Sequence, residues 1–221
     1  ELLLTAKNIV TISIGGSYEG PKLLFENINY DSDDKNFIFI TGSDLSEFEI
    51  KIKKLNPEET IFIIASKSFS TDETISTLKE AITWCGEINR FIAITANKKE
   101  AEKFKINTIL EFDKEIGGRY SIWSEISTLI KFLNKKDFDN FMKGGKRADK
   151  DLKSDDSYLN FLKNLSYSDI WYHNSKNKDC RVILSYIWKL RSFAKYAQQL
   201  EMESLGKQPS KNSEFKKTGQ I

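Results

Sequence analysis

Short and nearly continuous apolar runs recur along the first half of the chain, at residues 9–14, 37–41, 60–65, 90–95 and 108–112. They are rich in Ile, Val and Phe and do not alternate with polar residues, the pattern of strands buried on both faces of a parallel sheet. Helix-length segments separate them, at 19–26, 46–54, 71–85 and 98–105. This alternation predicts an α/β fold with a doubly wound, five-stranded parallel sheet flanked by helices. Ligands of such sheets bind beyond the carboxyl ends of the strands, near a topological switch point. The loops after the first and third strands are therefore the places to look for chemistry.

From about residue 120 the pattern becomes helical, with segments at 121–133, 137–153, 156–172 and 184–200, the last preceded by a short apolar run at 181–183. These C-terminal helices are expected to pack on the sheet rather than to form a second one. The charged stretch at 150–156 reads as a solvated connection or helix end. Residues 1–206 are expected to form one domain. Residues 207–221 form a polar, basic tail that reads as a loop or an unfinished strand.

Composition narrows the class. The 221 residues carry 39% hydrophobic and 30% charged side chains, an ordinary globular balance, and the net charge of +2 gives no general pull toward nucleic acid or acidic membranes. No apolar run approaches the ~20 residues that span a bilayer, and no signal peptide is recognised. A cytoplasmic protein with reduced thiols is expected, because Cys85 and Cys180 stand apart with no ligand cluster around them. His173 is the single histidine. Acid–base chemistry near neutral pH thus has few candidates.

Three segments could carry chemistry. The first strand runs into Gly15-Gly16-Ser17 and then Gly20-Pro21, a strand-to-helix turn that can aim backbone amides and the Ser17 hydroxyl at phosphate or sugar, or can simply be a tight turn needing positive φ. The third strand runs into Ser66-Lys67-Ser68-Phe69-Ser70-Thr71-Asp72-Glu73-Thr74, with five hydroxyl residues in nine positions. Small hydroxyls before a helix N-terminus suit a phosphomonoester. Ser70 and Glu73 alone also have the spacing of a capping box. After the fifth strand, Gly117-Gly118 lifts Arg119 at the sheet edge, where a permanent positive charge can stabilise an oxyanion.

Together these segments resemble the glucose-6-phosphate isomerases, aldose–ketose isomerases built from two sugar-isomerase (SIS) domains. The likeness rests on Ile14-Gly15-Gly16-Ser17 with Gly20-Pro21, on Ala65-Ser66-Lys67-Ser68-Phe69 with Thr71 and Glu73-Thr74, and on Gly117-Gly118-Arg119-Tyr120-Ser121 with Trp123-Ser124. Tyr196, Gln198-Gln199, Met202-Glu203-Ser204, Gly206-Lys207 and Thr218-Gly219 continue it in order. The resemblance implies that Ser66, Ser68 and Thr71, with the Lys67 backbone, bind the phosphate of a hexose 6-phosphate, and that Gly16 and Ser17 contact the sugar. It implies that Arg119 steadies a cis-enediolate and that Glu73 holds a ring-opening histidine from the neighbouring subunit of a homodimer. No metal or organic cofactor is implied. Two departures touch these positions: Ser68 stands for a threonine and keeps the hydroxyl, while Tyr18-Glu19 stands for Asp-Leu. The resemblance also puts the glutamate base in a Gly-Glu-Pro-Gly-type segment just past Ile221, with the ring-opening histidine and a lysine further on, and gives His173 no part in the chemistry. On this reading the chain is the N-terminal SIS portion of a larger enzyme, binding sugar phosphates without turning them over. The alternative is a stand-alone SIS module that binds a phosphosugar and regulates a partner.

Overall fold

The computed structural model describes residues 2–30, 34–42, 44–178, 180–206, 210 and 212. The expectation for the tail concerns residues that, apart from 210 and 212, lie outside this set. Five strands, β1 (Asn8–Ser13), β2 (Asn36–Ile40), β3 (Thr60–Ala65), β4 (Phe91–Thr95) and β5 (Thr108–Glu111), pair in parallel in the order β2-β1-β3-β4-β5. The chain steps outward from β1 to β2, then crosses back over β1 to begin β3. The β1/β3 boundary is thus the switch point. There the register is continuous from Asn8 opposite Thr60 to Ser13 opposite Ala65, and all twelve residues of the two strands are buried.

Helices cover both faces. A four-residue helix, α1 (Leu2–Thr5), precedes β1; α2 (Gly16–Asn27), α3 (Leu45–Ile52), α4 (Asp72–Cys85) and α5 (Lys98–Glu102) connect the strands. On one face Val10, Ile64, Phe62 and Phe91 pack against α3, α4 and α5 through Phe48, Leu78 and Ala101. On the other, Ile9, Ile61 and Ile63 meet Leu3, Ile126 and Leu129. Phe62 and Phe91 lie in register neighbours and stack at 4.9 Å. Phe62 touches both the α3 and α4 layers, through Phe48 and Trp84.

The second half departs from the expected helices in two places. Residues 121–133 do not form one α-helix. Two 3₁₀ turns, Gly118–Trp123 and Glu125–Ser127, precede α6 (Thr128–Leu133). The cause is local: Ser124 donates to the Ser121 carbonyl at 2.7 Å and Ser127 to the Ile122 carbonyl at 2.8 Å, side-chain bonds that compete with the α-helical ladder. Nor does a helix fill 184–200: a 3₁₀ turn spans Trp188–Leu190 and the helix α9 begins only at Phe193, ending at Leu205. Residues 182–187 are non-helical, and Val182, Leu184, Tyr186 and Ile187 are exposed. Between these parts run α7 (Lys135–Ser154) and α8 (Asp156–Lys176), broken at Asp155, whose side chain caps α8. The charged stretch is thus a helix end, as expected. α6 packs on the sheet, α7 buries Phe138, and α8 buries no residue. Among the described residues no helix is long and apolar enough to cross a membrane.

Phe62 is fully buried at the meeting point of the sheet and two helices. Phe62→Ala is expected to lower the free energy of unfolding by about 3–5 kcal/mol in urea titration, and a loss below ~1 kcal/mol would show that this layer is not the core.

Candidate functional site

Gly15, at φ 57°, turns β1 directly into α2. Gly16 follows because nothing larger fits. A Cβ at that position would lie 2.2 Å from the Gly118 carbonyl oxygen and 2.7 Å from the Arg119 amide nitrogen. This close approach shows the path of residues 113–119: they leave β5, turn where the Asp113 side chain accepts from the Glu115 amide at 2.8 Å, and cross the strand ends to reach the β1 loop. Ser121 ties the end of this strap, donating to the Gly118 carbonyl at 2.7 Å. Arg119 is thereby held over the switch point, its side chain only 20% exposed and its guanidinium 5.0 Å from the centre of the Tyr120 ring. Its Nε is buried with no hydrogen-bond partner, a donor left for something not in the fold.

The loop after β3 is built around an inward-facing Phe69. It adopts φ 51°, and its ring is buried against Phe104. Around that anchor Ser66 Oγ accepts from the Phe69 amide at 3.2 Å and Ser68 Oγ from the Ser70 amide at 3.3 Å. The Lys67 carbonyl accepts from the Ala96 amide and from Thr95 Oγ1, both at 3.0 Å, which pins the loop to β4. The capping box at Ser70 and Glu73 is not formed. With the Ser70 amide taken by Ser68, α4 starts one residue later, Thr71 is its N-cap, and no side chain bonds the cap amides. The helix N-terminus is therefore open toward the loop hydroxyls. Unpaired amides and the helix dipole there favour an anion.

These segments enclose a cavity of about 780 Å³ at the carboxyl ends of β1 and β3. Gly16, Ser17, Ser66, Lys67, Ser68, Thr71 and Arg119 all line it. Glu73 does not. It lies partly buried in the first turn of α4, its carbonyl accepting from Thr77 Oγ1. Ala96, Asn97 and Lys114 complete the wall on the β4–β5 side. His173, on α8, is not among the lining residues.

The lining also contains a carboxylate to which the motif reading gave no role. Glu203, near the end of α9, stands with Oε1 3.4 Å from Arg119 Nη1. Gln199 Nε2 donates to its other oxygen at 2.7 Å. Gln199 in turn lies against Gly15. The helical spacing of Gln199 and Glu203 was a usable signal, since residues four apart share a helix face. What the spacing could not show is that this face meets Arg119, some eighty residues earlier in the chain.

A family model for phosphoglucose isomerase matches residues 4–221. The chain belongs to the phosphoglucose isomerase family. A glucose-6-phosphate isomerase of Helicobacter acinonychis is 34% identical over 219 residues, covering 94% of this chain and 40% of the relative. The chain thus spans about 40% of the length of the curated relatives it matches. Among solved structures, a glucose-6-phosphate isomerase from Chlamydia trachomatis superposes with a TM-score of 0.84 at 23% identity, over all of this chain and 45% of that one. A hypothetical protein from Thermus thermophilus gives 0.82, also at 23% identity, over 99% of this chain and 53% of that one. Both share the fold, the five-stranded parallel sheet of the SIS domain. In this family member the strap and the β1 turn are locked together by the absence of one methyl group. Gly16→Ala is expected to cost about 1–3 kcal/mol of stability and to speed amide exchange at 117–119 above that at β3; equal exchange at both would mean that the strap gives way freely.

Proposed function

We propose that the cavity binds a hexose 6-phosphate and that the chain is the SIS portion of a glucose-6-phosphate isomerase, interconverting glucose 6-phosphate and fructose 6-phosphate. The observation that carries this reading is the pairing, within one cavity, of an anion site with an Arg–Glu pair. At one side lie the open N-terminus of α4, the hydroxyls of Ser66, Ser68 and Thr71, and Lys67. At the other stand Arg119 and Glu203. The phosphate occupies the first and the reacting carbons lie against the second, with Ser17 and the Gly16 backbone beside the sugar.

In the aldose-to-ketose direction the C2 proton passes to a carboxylate base, which the resemblance gives to a Gly-Glu-Pro-Gly-type segment that this sequence does not contain. The electron pair it leaves forms the C1–C2 double bond of a cis-enediolate, with negative charge on O1. Arg119, which lines the cavity, supplies a permanent positive charge beside it. Return of that proton to C1, with the O2 proton passing to O1 as the C2 carbonyl forms, gives the ketose. Gln199 holds the second oxygen of the Glu203 carboxylate, which keeps the first beside Arg119. Glu203, with its two oxygens on Arg119 and Gln199, steadies the guanidinium rather than serving as that base. Ring opening needs a separate acid, and no histidine lines the cavity among the described residues. Glu73, outside the lining, is left to hold a ring-opening group contributed from elsewhere, as in a homodimer with shared sites. On its own the chain is therefore expected to bind cyclic hexose phosphates without steady turnover.

Calorimetric titration with glucose 6-phosphate tests the assignment. Ser66→Ala with Ser68→Ala should weaken binding by about tenfold or more, the loss of roughly 1.4 kcal/mol that two hydrogen bonds to a charged group readily account for. Glu203→Gln should bind within about threefold of the parent, and neither chain should exchange the C1 or C2 hydrogens with deuterated solvent above the rate in buffer alone. Unchanged affinity in the double alanine variant would reduce the loop to a structural turn. Exchange above that rate in the parent, lost in Glu203→Gln, would make Glu203 a base after all.

A further inference from the structure

α7 concentrates positive charge in a chain that is otherwise balanced. Its seven basic and four acidic side chains give +3 against +2 for the whole chain, so everything outside this helix sums to −1. At about 100° per residue, all seven bases from Lys135 to Lys153 fall within one arc of about 120°. Two of them are answered on the helix itself, Lys135 by Asp139 and Arg147 by Asp151. Among the described residues Lys136, Lys143, Lys146, Lys150 and Lys153 have no ion pair, and all five are exposed. Asp137 turns away from the arc and accepts from the Asn29 amide at 3.1 Å. The other side of the helix explains why the arc faces solvent. Phe138, Phe141 and Met142 join the cluster around Ile122 and Ile130. Trp123 stacks on Phe141 at 4.1 Å, and Gly145 leaves room for the same ring, since a Cβ there would lie 2.8 Å from Trp123 Cζ3. From Lys143 onward no residue of α7 is buried, and none of α8 is.

One exposed lysine is ordinary surface, but these five act together. Successive ones rise by about 5–10 Å along the axis, within the ~10 Å Debye length of 0.1 M salt, so their fields add over a row of about 25 Å. The partner that fits is a polyanion offering many charges at once. The shape of the row selects which one. A nucleic-acid duplex is itself a convex rod, and two rods meet only near their crossing; a helix that enters the groove instead needs polar side chains for the base edges, and this arc holds no Asn or Gln. A bilayer is flat over such a length and engages the whole row. We propose that α7 docks this protein on an anionic lipid surface, its lysines lying along the headgroups without insertion into the bilayer. None of these lysines lines the cavity, so the docking is independent of the sugar-phosphate reading. It also gives the chain a local attraction that its overall charge hides.

Co-sedimentation of the full chain with vesicles tests the assignment. Partition onto phosphatidylcholine vesicles containing about 30% phosphatidylserine should exceed that onto phosphatidylcholine alone by on the order of 10³-fold, at about fivefold for each unpaired lysine. Raising the salt from about 0.1 M to about 0.5 M should release most of the bound protein. The triple variant K143Q/K146Q/K150Q should bind about a hundredfold more weakly, while K143R/K146R/K150R, which keeps the charges, should bind as the parent does. A control, K53Q/K54Q/K99Q, removes three exposed lysines elsewhere and should stay within about threefold of the parent. Equal partition onto the two kinds of vesicle, no binding to either, a glutamine variant that binds like the parent, or an arginine variant that does not bind would each overturn the proposal. So would lysine-dependent binding to a DNA duplex that is tighter than binding to the anionic vesicles, which would assign the row to nucleic acid.

Discussion

The contact between Gly16 and the Gly118 carbonyl is the constraint on which the site depends. A Cβ there would fall 2.2 Å from backbone oxygen, a distance no repacking of side chains can relieve. Because the two backbones touch, the turn after β1 and the strap after β5 form one unit, and Arg119 inherits the rigidity of a fully buried strand. The sheet order makes this possible. With β1 central and β5 at the edge, the strap must cross the ends of β4 and β3 to reach Gly16, and the phosphate-type loop lies beneath its path.

The cavity walls are held in two different ways. The Ser66–Thr71 loop and the strap are fastened to strands by backbone bonds and by the buried Phe69 ring. α9 is held by polar contacts at its two ends and by a single buried alanine between them. An anion site benefits from the first arrangement, since preorganised donors cost little to align at the moment of binding. Glu203, which pairs with Arg119, sits on the second.

Much of the architecture was legible in the chain, for physical reasons. The strand runs were apolar and β-branched, fully buried in β1, β3 and β4 and less so in the edge strands β2 and β5, and each was recovered within a residue or two of its observed ends. The hydroxyl loop, the glycine pairs and Arg119 were legible because chemistry of that kind needs those residue types beside a helix N-terminus. The 3₁₀ turns at 118–127 were not, since their cause is the reach of the Ser124 and Ser127 hydroxyls to particular carbonyls, which leaves the apolar pattern unaltered. Residues 184–192 carry helical spacing but have no surface to bury it on, so periodicity overstated the helix. Glu203 was visible as part of a motif and silent as to role, because its partner Arg119 is brought to it only by the tertiary path of the strap.

The charged lining of the cavity has a kinetic consequence. Four charged side chains reach it, Lys67, Lys114, Arg119 and Glu203, three cations against one anion in a chain whose net charge is only +2. Field lines from such a cleft extend into solvent and draw dianions toward it, raising encounter rates in dilute buffer and losing that advantage once the Debye length shrinks below about 10 Å near 0.1 M salt. On the proposed sugar-phosphate reading, capture of the ligand is a salt-sensitive event even though the surface as a whole is nearly neutral, and an uncharged sugar of the same shape gains nothing from the same cleft.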